Sequence, residues 1–210
     1  MALSQKLIVT KKSIILCLAL VLNIGLAGCA ILDLPQRDTP FRANSVEAFG
    51  QATIRDYAVH SMTFIAPTNL KVSESNGYYP MGDIVWRGDP VGNRIEQVAN
   101  IFETAVQRNQ SELSGRIPIV VDIELVRFHG VTERTRFSMG GVYNIVFDLT
   151  LRHAKTGAVV ERRHRVKADL TAPGGYAALL QEQRGETEKV RVTDYLTQIM
   201  RGELTGNYQI

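Results

Sequence analysis

The sequence predicts an α+β fold: a single two-layer sandwich in which helices pack on one face of a mostly antiparallel sheet. Two observations carry this expectation. Three stretches between residues 117 and 170 alternate apolar and polar side chains and are separated by turn residues, the pattern of an antiparallel meander with one dry and one wet face. Helical periodicities stand before and after that meander rather than between its strands. Segregated elements of this kind favour an α+β layer arrangement over an alternating α/β one.

The first strand is expected at 57–67, where YAVHSMTFIAP is rich in aromatic and β-branched residues and is closed by Ala66 and Pro67. A shorter one is expected at 70–73. Residues 75–90 then read as a long loop, with Gly77, Pro80, Gly82, Gly88 and Pro90 spaced around the only tryptophan, Trp86. Loops of about fifteen residues in compact domains are often functional. Asp89-Pro90 signals a helix start, because Asp accepts from the unpaired amides of a first turn and Pro has no N–H to leave unpaired. The helix predicted from there to about residue 110 or 113 sets Val91, Ile95, Val98, Phe102 and Ala105 on one stripe, with Ile101 and Val106 beside it. Arg94, Glu96, Gln97, Glu103 and Gln107 are expected to face water.

In the meander, residues 117–128 alternate Ile119, Val121, Ile123 and Leu125 with Asp122 and Glu124. Residues 142–152 set Tyr143, Ile145, Phe147, Leu149 and Leu151 against Asn144, Asp148 and Arg152. Residues 159–170 set Val160, Val166, Ala168 and Leu170 against Glu161, Arg163, Arg165 and Lys167, with Arg162 and His164 interrupting the apolar side. Lys155-Thr156-Gly157 supplies the hairpin between the last two. On the wet face Asp122, Glu124 and Asp148 should pair with the basic residues of the third strand, each cross-strand pair contributing about 0.2–1 kcal/mol. Two helices complete the chain, at 175–183 through Tyr176, Ala178, Leu179 and Leu180, and at 188–204 with Val192, Tyr195, Leu196, Ile199 and Met200 on a common face.

Ahead of this domain the chain is of another kind. Lys6, Lys11 and Lys12 precede an apolar run from 13 to 27, shorter than the roughly 20 residues of a membrane span. No acidic residue occurs in it, and small residues crowd its end, as in an export signal with basic, apolar and cleavage regions. Residues 30–44, with Pro35 and Pro40 and no sustained period, suit a tether. Leu26-Ala27-Gly28-Cys29, which closes the run, resembles the lipobox of bacterial lipoproteins. That resemblance implies cleavage before Cys29, which becomes a triacylated N-terminus carrying fatty acyl chains such as palmitate. Ala30 follows where enterobacterial lipoproteins retained in the inner membrane usually carry Asp, which implies the periplasmic face of the outer membrane. The expected organisation is a signal peptide at 1–28, a lipidated N-terminus and tether at 29–56, and a periplasmic α+β domain at 57–210.

Cleavage changes the electrostatic picture. Three of the 24 basic residues leave with the signal, so 21 remain against 21 acidic ones and the formal charge of +3 becomes zero. A neutral chain has no counterion-release drive toward nucleic acid. Attachment to the membrane must come from the acyl chains, because two or more chains anchor durably where one does not. With Cys29 acylated and Cys17 discarded, no thiol is left for a disulfide or for redox chemistry.

Chemical motifs are sparse. His60, His129, His153 and His164 are too scattered for a metal site, and no cofactor is expected. There is no Gly-x-Ser-x-Gly elbow, Ser-x-x-Lys or His-Glu-x-x-His, so no catalytic residue is assigned and the protein is expected not to be an enzyme. Gly174-Gly175 precedes a helix and suits a flexible turn better than an anion site. The loop at 76–90 stands out instead, because Tyr78, Tyr79, Met81, Trp86 and Arg87 belong to the residue types enriched at binding interfaces. Tyr78, Tyr79, Trp86 and Arg87 form the candidate partner-binding loop. Trp86 has two roles open to it, as part of that surface or as a plug beneath it that leaves Tyr78, Tyr79 and Arg87 presented.

Cys29 together with the strand, helix, meander and helix order resembles the small, largely uncharacterised periplasmic lipoproteins of proteobacteria. A more distant likeness is to the auxiliary lipoproteins of ABC-type lipid-transport systems. These resemblances imply a non-enzymatic binding or accessory module of an envelope transport or assembly complex, with a protein partner in the cell envelope. The alternative is a lipid or small-molecule carrier with an apolar pocket between sheet and helices, lined by Tyr143, Phe147 and Leu151.

Overall fold

The computed structural model describes residues 55–207. The expected signal peptide, the lipobox-like Leu26, Ala27, Gly28 and Cys29, and the expected tether up to residue 54 lie outside the described residues. Five strands, β1 (Tyr57–Ile65), β2 (Ile84–Val85), β3 (Ile117–His129), β4 (Gly141–His153) and β5 (Val159–Ala172), form one open sheet in the order β1-β3-β4-β5, with β2 also paired to β3. The helices are α1 (Arg94–Gln110), α2 (Glu133–Arg136), α3 (Gly175–Gln183) and α4 (Glu188–Thr205).

The sheet is mixed, which corrects the mostly antiparallel expectation. β3, β4 and β5 form the predicted antiparallel meander, but β1 runs parallel to β3 from Tyr57 opposite Ile117 to Ile65 opposite Glu124. The cause is the α1 crossover, which returns the chain to the end of the sheet where β1 began and so delivers β3 in the same direction. β2 continues the same flank of β3 beyond the end of β1, with Ile84 opposite Phe128 and Val85 opposite His129.

The alternation in the meander places the core as expected. Ile119, Val121, Ile123 and Leu125 of β3, and Tyr143, Ile145, Phe147, Leu149 and Leu151 of β4, are all buried in one cluster with Val98, Ile101 and Phe102 of α1 and Val192, Leu196 and Met200 of α4. The Phe102 ring meets Phe147 edge-on at 5.1 Å. Full burial of such a side chain contributes about 1.5–3 kcal/mol. Tyr143, Phe147 and Leu151, the residues of the carrier alternative, therefore touch protein rather than an open pocket. α1 and α4 also meet through the buried Asn109 amide, which donates to the carbonyls of Ala105 and Thr197 at 2.9 and 3.0 Å.

A single irregularity reshapes the far end of β3. Leu125 pairs with Phe147 and Arg127 with Val146, so Val126 is an extra residue. Such a bulge flips the alternation. Phe128 thus turns inward and is fully buried, where an unbroken period would have pointed it to solvent.

Four charged residues depart from expectation. α1 begins at Arg94 with Asn93 as its cap, the Asn93 side chain accepting from the amides of Ile95 and Glu96. Asp89 is engaged elsewhere, accepting from the Trp86 indole and from Lys189, both at 2.7 Å. Arg94 is buried rather than solvated, because Glu74, a loop residue twenty positions upstream, takes its guanidinium at 2.7 Å. Asp148 is also buried, covered from two sides by Arg163 and Arg165 at 2.5 and 2.9 Å. Glu124 pairs with Arg163 as predicted, whereas Asp122 takes Arg152 of the neighbouring strand β4.

Candidate partner-binding site

The loop ahead of α1 is built around Trp86. Its side chain is fully buried, with the ring edge-on to Phe128 at 5.5 Å and tilted against Tyr143 at 6.4 Å. Of the two roles open to Trp86, the structure shows the plug. The bulge in β3 makes this packing available by turning Phe128 inward. Gly88 is required close by, since a Cβ there would stand 2.3 Å from a Trp86 ring carbon.

Arg87, expected on the surface, is an internal brace. Its side chain is only 5% exposed. The guanidinium donates to the carbonyls of Trp86, Ser73 and Ser75 and pairs with Glu74 at 3.0 Å. Each buried N–H finds an acceptor, as burial of a charge demands.

The same scaffold presents the remaining aromatic residues. Tyr79 is 88% exposed and Met81 90%, with Tyr78 half exposed beside them. Their backbone is tied down. The Asn76 side chain accepts from the Arg134 amide at 3.0 Å, the Thr132 hydroxyl donates to the Gly77 carbonyl at 2.8 Å, and His129 bonds to the Gly82 carbonyl at 3.0 Å. A carbonyl only accepts, so His129 Nδ1 carries the proton. Burial holds the pKa of His129 below its ordinary value, partly offset by that bond to Gly82, so the ring is neutral at pH 7.

Tyr78, Tyr79 and Pro80 face Val131, Met139 and Val142 across a cleft of about 290 Å³. The far wall depends on a close backbone approach: Gly140 has φ +74°, and a Cβ at Gly174 would stand 2.1 Å from its amide. Phe137 and Met139 before β4, and Tyr176 and Leu179 in α3, extend the exposed apolar surface. Eight of the thirteen large apolar side chains exposed among the described residues belong to segments at this edge of the sheet, where β3 ends and β4 begins. Large apolar side chains exposed together in one region are a feature of interaction sites.

Beneath the cleft lies a buried polar junction that the sequence did not signal. The Tyr143 hydroxyl donates to Glu188 at the start of α4, and Arg136 of α2 reaches Glu188 at 3.4 Å and Glu182 of α3 at 3.0 Å. Burial raises the pKa of Glu188, and the Tyr143 bond offsets only part of that. Burial and the neighbouring Glu188 together push the Tyr143 phenol well above its usual range. The junction ties α2, β4 and the α3–α4 corner together under the apolar rim.

Among the described residues no group of three or more His, Cys, Asp or Glu side chains is placed to hold a metal ion. No helix among them is long and apolar enough to cross a membrane.

Comparison with known proteins places the chain in a family. Residues 57–209 match the family model described as "Family of unknown function (DUF6778)", and the chain belongs to that family. No curated protein matches it. Among solved structures it is similar to a candidate lipoprotein from Caulobacter crescentus CB15, at 14% identity and a TM-score of 0.32, covering 73% of this chain and 90% of that one. It is also similar to a Xanthomonas campestris protein of the DUF330 family, at 12% identity and a TM-score of 0.40, covering 73% and 84%. An uncharacterized protein is similar at 14% identity and a TM-score of 0.35, covering 71% and 93%. Likeness at this level carries no function across.

Proposed function

For this member of the DUF6778 family we propose a non-enzymatic binding role at the cell envelope. Cys29 carries the lipid anchor on the periplasmic face of the outer membrane, and the folded domain offers the Tyr78–Tyr79 cleft to a protein partner, as an accessory module of an envelope transport or assembly complex. One observation carries the reading: Tyr79 and Met81 are almost fully exposed on a loop whose own anchor, Trp86, is fully buried. Apolar side chains held ready in this way lose little conformational freedom on docking, which favours affinity.

The position of the cleft supports the same reading. The described chain enters at Arg55, at the end where β1 and β3 begin, and the cleft lies where β3 ends. β3 has 13 residues and spans about 40 Å. The cleft is therefore at the far end of the sheet from the point where an acylated Cys29 connects.

Two measurements test the two halves. Mass spectrometry of the membrane-extracted protein should find an acylated Cys29 at the N-terminus; an unmodified cysteine or an intact leader overturns the anchor. A photo-crosslinking amino acid at position 79 should give a discrete protein adduct in intact cells, absent when it stands at position 206. Equal or no adducts at both positions overturn the docking role.

A further inference from the structure

Among the described residues, one cation at the edge of the cleft, Arg134, lacks a close partner. Glu133, Glu182, Glu186 and Glu188, the carboxylates of α2 and of the α3–α4 corner, each have an arginine within ion-pair distance: Arg87 for Glu133, Arg184 for Glu186, and Arg136 for Glu182 and Glu188. Arg134 has no carboxylate within that distance among the described residues. Its guanidinium lies 5.6 Å over the ring of Tyr78, at the edge of the cleft. His129, which lines the cleft with Tyr78 and Tyr79, is held below its ordinary pKa by burial.

A wholly apolar occupant would take water from Arg134 and return no hydrogen bond, which is unfavourable for a cation. An occupant with a carboxylate beside an apolar side chain answers both features. The planar guanidinium, already oriented by the Tyr78 ring, presents paired N–H groups that match a carboxylate. We propose that the cleft takes an extended segment of a partner protein in which an aspartate or glutamate adjoins a large apolar side chain. The apolar side chain enters between Tyr79 and Met139, and the carboxylate meets Arg134. This rests on the docking role proposed above and specifies its chemistry.

The test uses the full chain in nanodiscs of neutral lipid and fluorescent heptapeptides that place Phe or Leu beside Asp, Asn or Lys. Anisotropy should show the Asp peptides binding about tenfold tighter than their Asn counterparts. Arg134→Gln should remove that preference, and Tyr79→Ser should weaken every peptide. Arg134 is exposed and its amide bond to Asn76 survives substitution, so thermal unfolding of Arg134→Gln should match wild type. An absent Asp preference, or one that survives Arg134→Gln, overturns the acidic-segment proposal while sensitivity to Tyr79→Ser leaves the docking role standing. No peptide binding above an empty nanodisc overturns both. Capture by phosphatidylglycerol vesicles that depends on Arg134, without discrimination among the peptides, also overturns it in favour of a lipid headgroup.

Discussion

The two ends of the sheet are built on opposite plans. Where the chain enters, polar side chains are used up on one another: Arg55 pairs with Glu161 at 3.0 Å and donates to the Glu203 carbonyl, the Tyr57 hydroxyl donates to Glu161 at 2.7 Å, and His164 meets Glu203 at 2.8 Å. Burial, with the bond to Glu161, pushes the Tyr57 phenol up to about 12. Where β3 ends, the polar groups instead brace the backbone from within, and large apolar side chains stand in water. Polar groups are closed off at one end and apolar groups left available at the other. The contrast separates residues that hold the fold from residues that only use it.

Substitutions in order of expected effect probe that contrast. Trp86→Ala should be the most damaging, at about 3–5 kcal/mol by urea unfolding, because it opens a cavity against Phe128 and Tyr143. A small loss of stability would mean that the loop end does not depend on its plug.

Two of the buried carboxylates, Asp148 and Glu188, should come next, with opposite pH signatures. Hydrogen bonds from Arg165 and then Arg163, working against burial, hold Asp148 down to about 2. Its contribution is therefore present above the ordinary carboxylate range and lost as pH falls from about 4 through about 2. Asp148→Asn should cost about 1–3 kcal/mol at neutral pH and flatten that acid limb. Glu188 is shifted the other way, so its contribution is full below about pH 4 and declines as pH rises through its elevated value. Glu188→Gln should remove this decline. Unfolding free energies across pH 2–8 check both, and matching slopes in the two variants would refute the assignment.

Arg55→Ala should cost about 1 kcal/mol, since its pair is only partly shielded from water. Tyr79→Ser should change stability by less than about 0.5 kcal/mol while removing the crosslinked adduct. Thermal unfolding of the two side by side sharpens the contrast: a Tyr79 variant as unstable as the Arg55 variant would make the loop end structural as well.

The parts of this fold visible in the sequence are those governed by local periodicity. The inward residues of β3 and β4 follow from simple alternation, and α3 lies at 175–183 as the composition suggests. Alternation is the same whichever way a neighbouring strand runs, so it was silent about β1 pairing parallel to β3. It was equally silent about Val126, because one extra residue leaves no compositional trace. Arg94 and Asp148 looked solvated because charge suggests exposure, and the groups that allow their burial, Glu74, Arg163 and Arg165, come from other elements. In the candidate loop, Tyr78, Tyr79, Trp86 and Arg87 are grouped by residue type, and residue type does not say which side chain turns inward.

The sequence by itself carried the run Leu26-Ala27-Gly28-Cys29 and the even count of 21 basic and 21 acidic residues beyond position 28, and it determined the dry face of the meander. Each depends only on residue order along a short stretch. Tertiary structure alone decided that Trp86 and Arg87 hold the loop while Tyr79 and Met81 are offered by it, and that Arg134 lies over Tyr78 with no carboxylate in ion-pair distance among the described residues. Those outcomes depend on a bulge that turns Phe128 inward and on acceptors brought from Ser73, Glu74 and Asp89. Burial of a large or charged side chain is settled by the partners the fold assembles around it, which local sequence does not contain.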